Sequence, residues 1–193
     1  NKNTFIDNRS GLDMMRLWGG DNVTISECLF SENKVYNLLD VQKSNNDNFT
    51  FEENTLSGNV LSGMLLSYVG GNDFVRNNTI VFNESGLDLI MLYTPVSSIE
   101  YKKDVHNNTI IGNNVGGGIF DASTDFNSFY GNLIFGNIYD KESSISPVSD
   151  NIFKYNITPI FRIKNGDSEA SFVDYDNTNI ISDYYLGSGV KAE

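Results

Sequence analysis

The sequence predicts an all-β protein, a right-handed parallel β-helix in which about seven coils form a solenoid with an irregular C-terminal cap. Three observations lead to this prediction. A short asparagine-containing motif recurs along the chain, its copies are spaced by about the length of one solenoid coil, and β-branched and aromatic residues abound while alanine is scarce. Residues of those types favour strands, whereas asparagine and glycine are poor helix formers.

The repeated motif reads asparagine, any residue, an apolar residue, any two residues, asparagine. Full copies begin at Asn3, Asn54, Asn78, Asn108, Asn132 and Asn151, and a degenerate copy begins at Cys28. Successive copies start roughly 25 residues apart, which is within the range of solenoid repeats.

Equivalent positions of successive coils should form columns, because each coil returns to the same place about 4.8 Å further along the axis. Stacked asparagines can bond their side-chain amides to those of the coils above and below. We therefore expect two ladders of asparagines on either side of one strand. The first ladder comprises Asn54, Asn78, Asn108 and Asn132, and the second comprises Asn59, Asn83, Asn113 and Asn137.

The apolar third position of each motif copy should point inward and build a continuous core. A further apolar position recurs before the motif, at Phe49, Phe74, Val105 and Phe126. A leucine-rich repeat has an overlapping period, but it requires dominant leucines and a single asparagine in each repeat. That pattern is not kept here, so the β-helix is the favoured solenoid.

The repeats predict one domain in two parts. Residues 1–157 form the coils, and residues 158–193 abandon the repeat and form a closing cap. A solenoid needs covers over its open ends. The first motif copy begins at Asn3 with no cap before it, so we expect that end to be covered either by further coils of a longer parent chain or by a partner.

The charge of the chain restricts its partners. The formal net charge is -12, and so acidic a surface repels phosphate backbones, which argues against nucleic acid. The chain contains no run of about 18 apolar residues, so the sequence predicts no membrane-spanning segment. Cations are attracted instead, so Ca²⁺ is a possible cofactor, with Asp21 and Asp73 as candidate ligands at turn corners.

The asparagine-marked coils, such as Asn54-Thr-Leu-Ser-Gly-Asn59, resemble the parallel β-helix repeats of the pectin-lyase-like superfamily. The resemblance covers roughly residues 1–160. It implies an extracellular or cell-surface location and a polysaccharide or cell-surface glycan as partner. The superfamily includes lyases, hydrolases, epimerases, tailspikes and adhesin-like proteins, so the resemblance implies no single activity.

Three functions stay open on this basis. A surface or adhesion module that binds glycan without turnover is favoured, because the sequence places no two carboxylates at the separation that a glycoside hydrolase needs. A polysaccharide lyase or glycoside hydrolase acting on acidic polysaccharide is the alternative. A fragment of a phage tailspike is the third.

Candidate site residues fall into two groups. A lyase needs a basic side chain beside a group that neutralises the uronate, and basic residues cluster after a long insertion and one coil below it. The predicted catalytic residues are therefore Lys102, Lys103, His106 and Arg76. Aromatic faces stack on sugar rings, and four aromatic residues lie near one row of the solenoid or beside the basic cluster. The predicted carbohydrate-binding residues are Trp18, Tyr93, Tyr68 and Tyr101.

Overall fold

The protein is a parallel β-solenoid, which confirms the predicted fold class. The computed structural model describes residues 1–19, 22–42, 48–69, 71–93, 103–123, 127–139, 144–146, 152–154, 157–158, 162–165, 168–171 and 180–181. Its regular elements are all β-strands. Among these residues there is no helix of the length and apolar character needed to cross a membrane.

The strands are short and follow one another around the solenoid. The first eleven are β1 (Thr4–Ile6), β2 (Met15–Trp18), β3 (Val23–Ser26), β4 (Leu29–Ser31), β5 (Lys34–Val35), β6 (Leu39–Gln42), β7 (Asn48–Glu52), β8 (Thr55–Ser57), β9 (Val60–Leu61), β10 (Leu66–Val69) and β11 (Asn72–Arg76). The next eight are β12 (Thr79–Val81), β13 (Glu84–Ser85), β14 (Ile90–Tyr93), β15 (Lys103–His106), β16 (Thr109–Ile111), β17 (Asn114–Val115), β18 (Phe120–Ser123) and β19 (Asn127–Tyr130). The last eight are β20 (Leu133–Phe135), β21 (Ile138–Tyr139), β22 (Ser144–Ser146), β23 (Ile152–Lys154), β24 (Ile157–Thr158), β25 (Arg162–Asn165), β26 (Ser168–Ser171) and β27 (Ile180–Ile181).

Stacking of the coils produces four sheets, numbered here in the order in which one coil passes through them. Sheet I contains β1, β4, β8, β12, β16, β20, β24 and β27, and sheet II contains β5, β9, β13, β17 and β21. Sheet III contains β2, β6, β10, β14, β18, β22, β25 and β26, and sheet IV contains β3, β7, β11, β15, β19 and β23. All four sheets run side by side for about four turns rather than the seven coils predicted, and sheets I and III extend further.

The pairing is parallel, apart from β25 and β26, which form an antiparallel pair. These two strands and β27 fall in the segment 158–193, which the sequence predicts to be a cap. The boundary at residue 157 stays a prediction.

The central residues of β4, β8, β12 and β16 in sheet I point into the core, as the motif predicts. Phe30, Leu56, Ile80 and Ile110 occupy this position and are fully buried. The ring of Phe5 stacks on that of Phe30 with centroids 4.9 Å apart. Burial of one such side chain contributes about 1.5–3 kcal/mol, so the repeated column is a large part of the stability of the solenoid.

The second apolar column, in sheet IV, differs from the prediction. The inward column is Ile25, Phe51, Val75, Val105 and Phe129. Phe74 lies one residue away from it and is only half-buried, and Phe126 lies outside the described residues. The prediction was wrong for Phe74 because side chains alternate along a strand, so an error of one residue moves a side chain to the opposite face.

The asparagine ladders lie on either side of sheet I. In the second ladder the side-chain nitrogen of Asn59 donates to Oδ1 of Asn83 at 2.8 Å, and that of Asn83 donates to Asn113 at 2.9 Å. In the first ladder the corresponding distance from Asn78 to Asn108 is 3.0 Å. Each ladder Oδ1 also accepts the backbone N–H of the preceding asparagine, for example that of Asn59 on Asn83.

The residue before each ladder asparagine has a left-handed backbone. Examples are Glu53 with φ 57°, Asn77 with φ 56° and Gly131 with φ 63°. This conformation is unfavourable for most L-residues and easiest for glycine and asparagine. The fully bonded ladder therefore holds these turns in place even where the residue is glutamate.

Candidate functional site

The outward side of sheet IV carries polar side chains at one position of successive strands. Glu52, Arg76, His106 and Tyr130 are direct neighbours in register. Asp104 lies two residues before His106 in β15 and therefore faces the same side. We call these five residues the polar column.

Contacts within the polar column join its members in two groups. Nε of Arg76 donates to Oε2 of Glu52 at 2.7 Å. The ring of His106 stacks on that of Tyr130, with centroids 4.5 Å apart and planes 5° from parallel. Nε2 of His106 lies 3.9 Å from Oδ1 of Asp104. An imidazole beside a carboxylate is an arrangement that general acid–base catalysis uses.

Tyr130 stays protonated at neutral pH. Burial is the largest effect that raises the pKa of its phenol, and the charge of Asp104 and a hydrogen bond with it act in the same direction. The charge of Arg76 opposes this shift. The phenol is thus a hydrogen-bond donor rather than a base.

Two of the four predicted catalytic residues meet in the polar column. Arg76 and His106 are register neighbours on β11 and β15. Lys102 lies outside the described residues. The prediction for Lys103 is corrected, because this residue points into the core from β15 and is fully buried.

The burial of Lys103 is balanced by a specific set of partners. Its ammonium forms an ion pair with Asp73 and donates to the carbonyl oxygen of Gly71 at 2.9 Å. It also lies 4.6 Å from the centre of the Tyr68 ring. Burial is the largest effect and lowers the pKa of Lys103, while Asp73 acts to raise it.

The two predicted metal ligands do not form a site in the described part of the chain. Asp73 lies in β11, fully buried and paired with Lys103, rather than at an exposed turn corner. Asp21 lies outside the described residues. Among the residues that the structure describes, no group of three or more histidine, cysteine, aspartate and glutamate side chains could hold a metal ion.

The outward side of sheet III presents two exposed aromatic side chains in a single column. Trp18, Gln42, Val69 and Tyr93 are register neighbours on β2, β6, β10 and β14. Trp18 is 72% exposed and Tyr93 is 42% exposed. We call these four residues the aromatic column.

Two other predicted carbohydrate-binding residues do not join this column. The prediction for Tyr68 is corrected, because this residue points inward from β10 and is fully buried. Its ring stacks on that of Phe49 with centroids 5.3 Å apart. Its ring cannot reach a sugar on the outer face. Tyr101 lies outside the described residues.

An arginine between two carboxylates lies beside the aromatic column. Nε of Arg16 is 2.8 Å from Oδ2 of Asp13 and 3.1 Å from Oδ2 of Asp40. The side chains of Asp13 and Asp40 are 3% and 6% exposed. Arg16 precedes Trp18 by two residues in β2, so the two side chains share the outward face.

The one cysteine and the one histidine of the chain lie far from each other. The chain contains one cysteine, one histidine and four methionines. Cys28 is buried in the first ladder, where its Sγ donates to the carbonyl oxygen of Ser26 at 3.2 Å. Ser26 and His106 lie three strands apart in sheet IV, about 14 Å along the axis.

Sequence reasoning missed Glu52, Tyr130 and Asp104, although a signal for the first two exists. Glu52, Arg76, His106 and Tyr130 each stand two residues before the first asparagine of a motif copy. Counting back from the motif therefore finds the column. A third ladder was also missed, in which Asn48 donates to Asn22 at 2.7 Å and Asn72 donates to Asn48 at 3.1 Å.

The comparisons with known proteins identify a family. A family model described as periplasmic copper-binding protein (NosD) matches residues 1–187. Neither the curated proteins nor the solved structures include a significant match. The periplasmic description of the family is consistent with the predicted extracellular or cell-surface location. The chain belongs to the NosD family, a right-handed β-helix family of the pectin-lyase-like superfamily.

Proposed function

We propose that this chain is a periplasmic glycan-binding module that holds its ligand on the outward face of sheet III without cleaving it. The observation that carries the proposal is the aromatic column, in which Trp18 and Tyr93 stand exposed at one position of the solenoid.

Exposure of two large aromatic rings in one column needs a reason. A large apolar side chain is stabilised by about 1.5–3 kcal/mol when it is removed from water. Single exposed apolar residues are common, whereas two exposed rings on one outward face favour a binding surface. The apolar C–H faces of sugar rings fit against the electron-rich faces of indole and phenol rings. A glycan is therefore the ligand that this column suits.

The spacing of the rings suits a chain-like ligand. Three coil steps separate Trp18 from Tyr93, about 14 Å in all. The strands that carry them are joined by in-register pairing, so the backbone positions of both residues are fixed before a ligand binds. Such preorganisation lowers the entropic cost of binding.

Substitution of the rings tests the proposal. Oligosaccharide arrays identify a bound glycan, and calorimetry then measures its affinity for the wild type, Trp18→Ala and Tyr93→Ala. We expect roughly tenfold to hundredfold weaker binding for Trp18→Ala, from the loss of one ring's burial. Tyr36→Ala is the matched control, since Tyr36 is 44% exposed and lies outside the aromatic column. Absence of any glycan binding, or equal affinities for all four proteins, would rule the proposal out.

A polysaccharide lyase is the second candidate, and the polar column favours it. His106 is a possible base, and Arg76 lies next to it in register. However, Arg76 is already paired with Glu52, which reduces its ability to neutralise a uronate. Incubation with pectins, alginates and glycosaminoglycans, with and without Ca²⁺, separates the two functions. An unsaturated product that disappears in His106→Asn would favour the lyase over the binding module.

Copper binding, which the family's description names, is not supported by the chain's own ligands. Copper is bound in proteins by imidazole nitrogen, thiolate sulfur and thioether sulfur, and among the described residues no group of three or more histidine, cysteine, aspartate and glutamate side chains could hold a metal ion. Here the one cysteine is buried and hydrogen-bonded in the ladder, and the one histidine lies against Tyr130 and Asp104. These residues do not fit a copper centre, so no role for copper enters the proposal.

A further inference from the structure

The outward face of sheet I carries no charge over its described strands β4, β8, β12, β16 and β20. The central residue of each strand is buried, so the first and third residues point outward, and none of these ten is charged. Charged side chains occur on each of the other sheets, for example Glu84, Arg16 and Glu52 on sheets II, III and IV. Because the formal net charge of the chain is -12, sheet I is the face where a second molecule would meet least repulsion.

One half of this face is apolar and exposed. Five side chains, which we call the apolar patch, lie on β12, on β16, on β20 and in the turn after β12: Val81, Phe82, Ile111, Leu133 and Phe135. Phe82 is 68% exposed and Phe135 is 42% exposed. Adjoining exposed apolar side chains are typical of a surface that binds another molecule.

Phe82 is costly for the single molecule. Its backbone is left-handed, with φ 56°, a conformation that is unfavourable for an aromatic residue. The equivalent turn residue is Gly58 in the coil before it and Gly112 and Gly136 in the two coils after it. Glycine at position 82 would remove both the backbone strain and the exposed ring. Strain of this kind is found at functional positions.

The apolar patch is complementary in shape to a second copy of itself. Two molecules that lie face to face about a two-fold axis along β16 have their strands parallel and their solenoid axes reversed. The axis exchanges β12 with β20, so it places Phe82 of each molecule opposite Gly136 of the other, and Val81 opposite Phe135. A Cβ added to Gly136 would meet no atom of the described residues within 4 Å. There is therefore open space for the ring of Phe82.

We propose that two molecules of this chain associate face to face through sheet I, with the apolar patch at the centre of a two-fold interface. Such an interface is isologous, since each molecule contributes the same surface. Five strands about 4.8 Å apart, with four residues at about 3.3 Å across them, make the face roughly 24 Å by 13 Å. This is at the small end of protein interfaces, so we expect a dissociation constant in the micromolar range. The association does not depend on the proposed glycan binding, which concerns sheet III.

Sedimentation velocity over a range of protein concentrations, at low and at high salt, tests the proposal. We expect a monomer–dimer equilibrium that becomes tighter with salt, because ions screen the repulsion between two chains of net charge -12. Phe82→Gly should raise the dissociation constant at least about hundredfold, since the two-fold axis removes two rings from the interface at once. Its melting temperature, measured at concentrations where the wild type is a monomer, should be unchanged or higher, because glycine relieves the left-handed turn.

The matched control is Leu12→Ala, because Leu12 is 73% exposed and lies outside sheet I. We expect its dissociation constant to equal that of the wild type. A wild type that is monomeric at all concentrations and salts overturns the proposal, as does a dimer that both substitutions weaken equally. A lower melting temperature for Phe82→Gly also overturns it, because the ring is then required by the fold of the single molecule. A monomeric wild type whose oligosaccharide binding is lost in Phe82→Gly would instead identify the patch as a glycan site.

Discussion

At the scale of single residues, the ion pair of Asp73 and Lys103 is the most unusual feature of the core. In the same inward column of sheet IV, Val23 and Phe49 are apolar. Two charged side chains thus occupy inward positions that hydrophobic side chains fill in the preceding coils. A buried pair of this kind is costly to desolvate, and its loss as a pair is often harmless, whereas loss of one partner is not.

Substitution of one and of both partners tests this reasoning. Lys103→Met should lower the free energy of unfolding by about 3–5 kcal/mol, because it leaves the carboxylate of Asp73 buried without its cation. The double substitution Asp73→Val with Lys103→Met should be close to wild type or more stable. Denaturant unfolding measures both. A double variant less stable than Lys103→Met would contradict this account of the pair.

The pair also predicts a dependence on pH. Because burial lowers the pKa of Lys103 below 10.5, the unfolded chain binds a proton that the folded chain has released between the lowered pKa and 10.5. The free energy of unfolding therefore rises with pH in that window, and the full penalty is present below it. We expect the wild type to gain stability relative to the double variant as pH is raised towards 10. A pH-independent difference would contradict the lowered pKa.

Residue identity alone did not reveal which face each side chain occupies. The sequence predicts a surface role for Tyr68 because it lies near the row of Trp18 and Tyr93, and for Lys103 because it follows a long insertion. Both lie in the core, where each is the other's neighbour. The strand register is needed to predict which face such a residue occupies, because a shift of one residue moves its side chain to the opposite face.

At the scale of elements, the asparagine motif predicts sheet I better than it predicts the other sheets. The motif contains the strand and both turns of sheet I, so ladder and core positions can be read directly from its spacing. Sheets III and IV follow segments of variable length, and one insertion lengthens the spacing between Asn78 and Asn108 to 30 residues. Because the spacing varies, the sequence alone does not show that Arg76 and His106 are register neighbours.

Removal of one ladder residue should be costly. In Asn83→Ala the backbone N–H of Asn59 and one N–H of its side-chain amide both lose Oδ1 of Asn83 as acceptor, in buried surroundings. Each buried group left unpaired costs about 1–3 kcal/mol, so we expect a loss of at least about 2 kcal/mol in unfolding free energy.

The control for this substitution is Asn114→Ala, which removes an exposed asparagine one residue after a ladder position. Its effect should stay within about 0.5 kcal/mol. Chemical denaturation of the two variants gives the comparison. Equal stabilities would mean that the ladder bonds contribute little beyond the backbone pairing of the coils.

At the scale of the whole molecule, the solenoid places equivalent residues at a regular spacing. Residues that share a position recur about every 4.8 Å along the axis, so a surface property present in several coils becomes an extended stripe. The aromatic column and the polar column are two such stripes, on sheet III and sheet IV. Repetition along one axis suits an extended ligand better than a compact one.

The family assignment and the fold agree at this scale, while the function is set by particular side chains. A β-helix supports many activities. The sequence could predict the solenoid and a location outside the cytoplasm from its repeats and their resemblance. It could not predict that Arg16 pairs with Asp40, because this contact joins two coils.

The measurement that tests the central claim most directly is the affinity of oligosaccharides of increasing length for the wild type, Trp18→Ala, Tyr93→Ala and the double variant. Two rings about 14 Å apart on one rigid face should act independently on short ligands and together on long ones. We therefore expect a monosaccharide to be insensitive to at least one of the substitutions. A ligand long enough to span both rings should be weakened by each substitution and most by the double variant. If affinity does not depend on ligand length, or if long ligands bind all four proteins equally, the aromatic column is not the binding surface.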